Sequence, residues 1–222
     1  MRAMILAAGK GERMSPLTDK IPKPLLEILG RPLIAWHLEK LAKAHFKEIV
    51  INHAYLGEMI ESYVGDGSKW GLKVDYSREG NPLETAGGIK RALPLLGNEP
   101  FLAINADVFT DLDYSILKNR NLNDFQGHLV MVENPAHHPY GDFVLNNNQI
   151  ELEGENKLTF SGIAIYQPEI FKEINIEPVA KLAPILKKLI DRGCISGEKY
   201  HGLWFDIGTP VRLEEINFFL KN

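Results

Sequence analysis

The sequence predicts an α/β fold built on a mainly parallel mixed sheet flanked by helices. Two observations carry that reading. Short apolar runs without polar alternation recur along the first half of the chain, as in strands buried on both faces. Segments with apolar side chains near helical spacing lie between them. Strand and helix alternating in this order give right-handed crossovers over a parallel sheet.

The first run, residues 3–8, stops at Gly9 and Gly11. In residues 32–46, Leu33, Ile34, Trp36, Leu38 and Leu41 fall near helical spacing. Residues 47–52 form a second buried strand, 57–64 a short helix and 72–76 a third strand. A helix over 85–96 leads to a fourth strand, 100–106, which ends at Asp107. The second half is richer in strands. They are expected at 127–133, twice within 142–153 around the turn Asn146 to Asn148, at 158–166 and at 204–207. Helices are expected at 182–192 and 211–220. With no linker, repeat or low-complexity tract, one domain over 1–222 is expected, with a small β-rich lobe from about 127 to 180.

Composition narrows the function. The chain has 222 residues, 45% hydrophobic and 24% charged, which suits a globular core rather than a disordered chain. Lys plus Arg number 25 against 29 Asp plus Glu, so broad nucleic-acid binding through excess positive charge is not expected. A local basic pocket for a phosphorylated ligand remains open. The single cysteine, Cys194, excludes an intrachain disulfide and a cysteine-based zinc site. No apolar run approaches a membrane span, and the opening stretch is too short for a signal peptide. The cytoplasm is the expected location.

The segment 6–17 (LAAGKGERMSPL) follows the first strand directly. Open α/β sheets bind ligands at the carboxyl ends of their strands, and glycines there let backbone N–H groups approach phosphate oxygens. Arg13 and Lys23 add a planar fork and a point charge nearby. A triphosphate or pyrophosphate site follows from these groups. Gly9-Lys10 is followed by Gly11 rather than Ser or Thr, so the Walker A pattern fails. Met14 stands where a dinucleotide fingerprint needs its third glycine. Taken alone, the stretch also reads as a tight turn with surface charges.

The longer pattern is more specific. Leu6-Ala7-Ala8-Gly9-x-Gly11-x-Arg13-x-x-Pro16-Leu17-Thr18, Pro22-Lys23-Pro24-Leu25 and Gly30-x-Pro32-Leu33-Ile34 closely resemble the signature of sugar-1-phosphate nucleotidyltransferases. Further pieces follow in order along the whole chain: Leu83 to Gly88, Asn105-Ala106-Asp107, Tyr140-Gly141, Phe160-Ser161-Gly162 and Trp204 to Thr209. A narrower resemblance, to the N-acetylmuramate-1-phosphate uridylyltransferases of bacterial cell-wall recycling, rests on four stretches. These are Ile51 to Ala54, Pro82 to Gly88, His137-His138 with Gly141 to Phe143, and Lys181 to Pro184. It implies a Rossmann-like sheet with a sugar-binding lobe. The implied reaction joins UTP and N-acetyl-α-muramate 1-phosphate, giving UDP-N-acetylmuramate and pyrophosphate.

The resemblance also implies roles. Asp107 and Asp206 would hold Mg²⁺, which favours hard oxygen ligands completed by phosphates and water. Arg13 would bind the β- and γ-phosphates, and Lys23 would bridge the α-phosphate and the sugar phosphate. With Asp107 these form the catalytic set. Ala8, Gly9, Gly11, Glu79, Ala86 and Gly87 would meet the nucleotide, with Gly88 allowing close backbone approach. Glu79 would accept from the base. A carboxylate accepts equally from N3–H of uracil and from the donor edge of guanine, so Glu79 leaves UTP and GTP both open. Asn105, Gly141, Gly162 and Lys157 would contact the sugar phosphate. Many relatives carry Glu-Lys-Pro before the strand that contains Gly162. Here Glu155-Asn156-Lys157-Leu158 stands instead, which suggests a more open sugar site. Lys10 is a further phosphate candidate, while Asp111, Asp113 and Cys194 read as structural. His137 and His138 lack a metal partner set and read as loop or substrate-side residues.

A monomer or weak homo-oligomer acting on small molecules is expected, without a membrane or nucleic-acid partner and without a second catalytic extension. Three alternatives stay open. One is another hexose-1-phosphate nucleotidyltransferase, such as a mannose-1-phosphate guanylyltransferase. The others are a catalytically inactive nucleotide-sensing subunit and, against the Met14 substitution, a dinucleotide oxidoreductase.

Overall fold

Residues 3 to 6 (AMIL) have side chains fit for burial on both sides of a sheet, and the computed structural model, which describes residues 1–172 and 179–221, places them at its centre. The lobe expected over about 127–180 includes residues 173–178, which lie outside the described residues. After β1 (Ala3–Leu6), a small antiparallel pair, β2 (Glu27–Ile28) and β3 (Arg31–Pro32), leads into α1 (Leu33–Lys43). Then come β4 (Glu48–His53), α2 (Gly57–Val64), β5 (Lys73–Arg78), α3 (Glu84–Leu96) and β6 (Phe101–Asn105). Next are β7 (Val108–Thr110), α4 (Tyr114–Lys118), β8 (Gly127–Val132), β9 (Val144–Asn146), β10 (Gln149–Glu151) and β11 (Thr159–Tyr166). The chain continues through α5 (Glu169–Lys172), α6 (Ala183–Asp191), β12 (Ile195–Lys199), β13 (Trp204–Asp206) and α7 (Pro210–Phe219).

Among the described residues nine strands form one mixed sheet in the order β5-β4-β1-β6-β11-β8-β12-β10-β9. The first four run parallel, as crossovers through α1, α2 and α3 require. Antiparallel β11 then inserts between β6 and β8, and β12 pairs parallel to β8. The β-rich stretch thus extends the sheet that carries the N-terminal strands. At the far edge β9 and β10 form a hairpin whose turn residues Asn147 and Asn148 have φ of 44° and 67°. Asparagine tolerates that left-handed conformation, which two-residue hairpin turns demand.

The strand period of two divides the core. Ala3 and Ile5 face one side with Ile34, Leu38 and Leu41 of α1, while Met4 faces the other with Ile89, Ala92 and Leu96 of α3. Each Ile, Leu and Met side chain among these contributes roughly 1.5–3 kcal/mol on burial. A third cluster, formed by Met14, Leu26, Ile28, Leu33, Phe109, Ile207 and Ile216, packs α7 beneath the glycine-rich segment. Among the described residues no helix is long and apolar enough to cross a membrane.

Several elements depart from the expectation. β12 reads ISGEK, with no apolar run, yet it runs inside the sheet between β8 and β10, where Gly197 admits Ile150, whose Cδ1 lies 2.4 Å from where a Cβ would stand. β7 and β13 pair outside the main sheet, where the expected strand at 204–207 finds a short partner. The run at 100–106 ends as a strand at Asn105, and Ala106 turns the chain toward Asp107.

Candidate active site

Where β1 ends, the chain leaves the sheet and cannot continue its ladder. Ala7 N–H donates instead to Asn52 Oδ1 at the end of β4, at 3.0 Å. Gly11 then turns with φ of 68°, and Thr18 Oγ1 donates to its carbonyl at 2.8 Å. A Cβ on Gly11 would stand 3.0 Å from Thr18 Cγ2 and 3.2 Å from Lys23 Cβ, so both the turn and the packing favour glycine. A 3₁₀ turn over Glu12–Met14 buries Met14 completely and leaves Arg13 exposed. Met14 is the loop's apolar anchor, which explains a side chain where a third glycine would allow closer helix packing.

Two further 3₁₀ turns, Leu17–Asp19 and Lys23–Leu25, return the chain under the loop. Lys23 is thereby 9% exposed, and its Nζ lies 2.5 Å from Asp107 Oδ2. Asp107 sits just beyond β6, with its carboxyl one-third exposed. The glycine-rich segment, Lys23, Asn52, Asn105 and Asp107 line a cleft of about 790 Å³, closed on the other side by Pro82, Glu84 and Thr85. That volume suits a nucleotide-sized ligand. Three cations, Lys10, Arg13 and Lys23, meet three acids, Glu12, Glu84 and Asp107, so the cleft is a mixed field rather than a simple anion trap. Glu84 opens α3 with φ of 60°, a backbone conformation that non-glycine residues rarely adopt.

Asp206 ends β13, the neighbour of β7, and Ile207 N–H donates to the Asp107 carbonyl at 2.8 Å. The two carboxylate-bearing segments are therefore adjacent. Asp206 is itself held. Arg212 Nη1 donates to its Oδ2, and His137 Nε2 lies 3.0 Å from Oδ1 and 2.9 Å from Arg212 Nη1. Gly208 makes room for that guanidinium, since a Cβ there would stand 2.5 Å from Arg212 Nη2. The donor set fits Mg²⁺ bound with a phosphate ligand, because Asp107 offers hard oxygens on the cleft wall. Among the described residues no group of three or more His, Cys, Asp or Glu side chains is placed to hold a metal ion.

The structure distributes the expected site residues unevenly. Ala8, Gly9, Lys10, Gly11, Arg13, Lys23, Asn105 and Asp107 all line the cleft. Ala86 and Gly87 do not. Both are buried at the start of α3, where their N–H groups donate to Ala180 O at 2.9 and 3.1 Å. Glu79 is also buried, at 8% exposure. Its Oε1 accepts from Asn52 Nδ2 at 2.6 Å and its Oε2 from Leu83 N–H at 2.9 Å, so internal donors occupy the carboxylate expected to face the base.

Gly141, Lys157, Gly162 and Asp206 stand outside the cleft wall. Gly162 lies against Asn105, where a Cβ would meet Nδ2 at 2.5 Å. Gly141 abuts the Lys157 carbonyl, which accepts from Asn134 Nδ2 at 2.8 Å. His138 lies 3.1 Å from Asp142 Oδ1, a loop contact, whereas His137 joins Asp206.

Asn52 and Glu84 stood within the motif stretches Ile51 to Ala54 and Leu83 to Gly88 without a role of their own, and Arg212 was not singled out. Asn52 carried a signal, as a polar side chain closing an apolar strand. So did Arg212, a cation in the first turn of a helix, where the dipole disfavours it.

The chain was compared with known proteins. Residues 2–222 match the family model described as nucleotidyl transferase. An N-acetylmuramate alpha-1-phosphate uridylyltransferase from Neisseria meningitidis is 53% identical over 97% of this chain and 96% of its own length. Mannose-1-phosphate guanyltransferase beta-A from Xenopus laevis is 29% identical over 95% of this chain, which spans 62% of that protein. A Bacillus anthracis chain provisionally assigned as a glucose-1-phosphate thymidylyltransferase, crystallised with sucrose, superposes with a TM-score of 0.88 at 22% identity. The alignment covers 100% of this chain and 96% of that one. Yersinia pseudotuberculosis HddC, complexed with GMP-PN, gives 0.81 at 24% identity over 99% of both chains. These two structures share the fold.

Proposed function

The chain belongs to the nucleotidyl transferase family, and we propose that it joins UTP to N-acetyl-α-muramate 1-phosphate, giving UDP-N-acetylmuramate and pyrophosphate. The substrate pair rests on the 53% identity to the Neisseria protein across nearly the full length of both chains. The observation that carries the chemistry is the Lys23–Asp107 pair, a nearly buried cation touching a carboxylate on the wall of a nucleotide-sized cleft. This reading places the reaction in the cytoplasm, on a sugar phosphate recovered from the cell wall.

A sugar-phosphate oxygen attacks the α-phosphorus of UTP. The new P–O bond forms as the bond from the α-phosphorus to the oxygen of the departing pyrophosphate breaks. Two anions must meet, so catalysis consists mainly of alignment and charge stabilisation. Lys23 supplies a fixed positive charge where the two phosphates converge, and its burial limits competing water. Arg13, at the loop's exposed tip, takes the β- and γ-phosphates and steadies the leaving group. Backbone groups of Ala8, Gly9 and Gly11 approach the nucleotide closely because no large side chain intervenes. Asp107 would hold a magnesium ion, joined by Asp206 of the adjacent segment on release from Arg212 and His137, and the ion would supply Lewis-acid polarisation of the phosphate oxygens. Asn105 and the adjoining Gly162 would border the sugar phosphate.

The test is pyrophosphate release across a matrix of nucleoside triphosphates and sugar 1-phosphates. UTP with N-acetylmuramate 1-phosphate is expected to be turned over fastest. Faster turnover of GTP with mannose 1-phosphate would replace this reading with that of a mannose-1-phosphate guanylyltransferase. Chelation of divalent metal is expected to abolish release, and added Mg²⁺ to restore it.

A further inference from the structure

We propose that Glu79 is a positioning residue that acts through Asn52 to hold the two walls of the nucleotide cleft in register. The inference rests on the cleft's being a nucleotide site, as read above. Four groups form one chain of hydrogen bonds beneath the cleft. Ala7 N–H donates to Asn52 Oδ1 at 3.0 Å, and Asn52 Nδ2 donates to Glu79 Oε1 at 2.6 Å. Glu79 Oε2 accepts from Leu83 N–H at 2.9 Å. One end lies at the root of the glycine-rich loop and the other directly before Glu84 and Thr85 on the facing wall. Asn52 and Glu79 are 3% and 8% exposed, so little water is available to replace a lost bond.

The polarity of this chain restricts the side-chain pair that can complete it to one amide and one carboxylate. A backbone N–H can only donate, and both ends are backbone N–H groups. The middle must therefore present an acceptor to each end while the two side chains still bond to each other. An amide beside a carboxylate does this, with the amide oxygen toward Ala7 and the amide nitrogen toward Glu79. Two carboxylates would repel, and two amides would leave a donor facing a donor. Gly88 of α3 confirms that the space is reserved. A Cβ there would stand 2.5 Å from Glu79 Oε1 and 2.8 Å from Asn52 Nδ2. Of the two side chains, Asn52 lines the cleft, as Ala7 does, and its orientation is set by Glu79, which does not.

The experiment is a double-variant cycle on the full chain, with UTP affinity measured by calorimetry and KM, kcat and Tm measured alongside. E79Q must oppose an amide nitrogen to either Asn52 Nδ2 or Leu83 N–H. It is expected to weaken UTP binding and raise its KM by about tenfold or more, the scale of one buried unsatisfied donor. Its kcat at saturation should change far less. N52D places two carboxylates together and should be at least as damaging. The pair N52D/E79Q restores every donor to an acceptor, with the charge moved to residue 52, and should bind UTP more tightly than either single variant. If E79Q does not fold, recovery in the pair alone decides. A double variant no better than the product of the two single effects would overturn the proposal. So would an E79Q that exchanges UTP for GTP preference without rescue, since that marks a residue touching the base. Failure of the wild-type chain to bind UTP counts against the substrate reading alone. The cycle is then run with the triphosphate that does bind, and the same rescue pattern decides.

Discussion

At Lys23 an ammonium group has almost no access to water, and Asp107 Oδ2 at 2.5 Å is the contact that makes its burial tolerable. The pair was half legible in the sequence. Asp107 announced itself by ending an apolar strand, and Lys23 by its place in Pro22-Lys23-Pro24-Leu25, but their contact joins positions 84 residues apart. Glu84 was less legible, because nothing in the letters records a φ of 60°. Replacing it with glycine should relieve backbone strain of about 1 kcal/mol and raise Tm by roughly 2–4 °C for a chain of this size. An unchanged or lowered Tm in a melting experiment would show that Glu84 is not strained at a cost. His37 gives a pH prediction. Burial, and then the positive charge of Lys40, lower its pKa from 6.5 to about 4. The unfolded chain therefore binds the proton more readily between those values. Stability is full above about pH 6.5 and falls as the pH drops toward 4, by a total of order 3 kcal/mol. Chemical denaturation at pH 7 and pH 5 should show this slope, and a His37→Gln variant should show less of it.

Among the elements, β11 repays attention through its irregularity. Its pairing with β8 shifts register between Phe160 and Ala164, and Gly162 in that interval has φ of 78°. The irregularity brings the backbone against Asn105 at the end of β6. A Gly162→Ala variant combines a left-handed backbone with a Cβ 2.5 Å from Asn105 Nδ2, and should lose about 1–3 kcal/mol of stability by denaturant titration. No loss would mean that Asn105 moves away freely. The sequence marked Gly162 through its motif, yet periodicity could not show a bulge, because Phe160-Ser161-Gly162-Ile163 reads as ordinary strand. β12 was hidden for a related reason. Its burial comes from the strands on either side, β8 and β10, while Ile195 is its single apolar side chain in the core. Conversely α1, α3 and α6 each present one apolar face, and helical spacing located them within a few residues.

Over the whole molecule, the cleft lies where parallel strands β1, β4 and β6 release their chains at their carboxyl ends. The parallel half of the sheet was legible because both-face burial leaves continuous apolar runs. The joining of β11, β8 and β12 onto that half was not, because antiparallel insertion is decided by edge pairing that a single sequence does not display. The glycine-rich loop, Lys23 and Asp107 converge only because β6 lies beside β1, although more than ninety residues separate the ends of these strands. That convergence is what nucleotidyl transfer requires, and the direct measurement is steady-state pyrophosphate release by Lys23→Ala and Asp107→Ala at saturating UTP, sugar phosphate and Mg²⁺. With folding verified by melting, each variant should lose about 10²-fold or more in turnover, the scale of removing a transition-state charge partner. Wild-type turnover in both variants would contradict the assignment of this cleft.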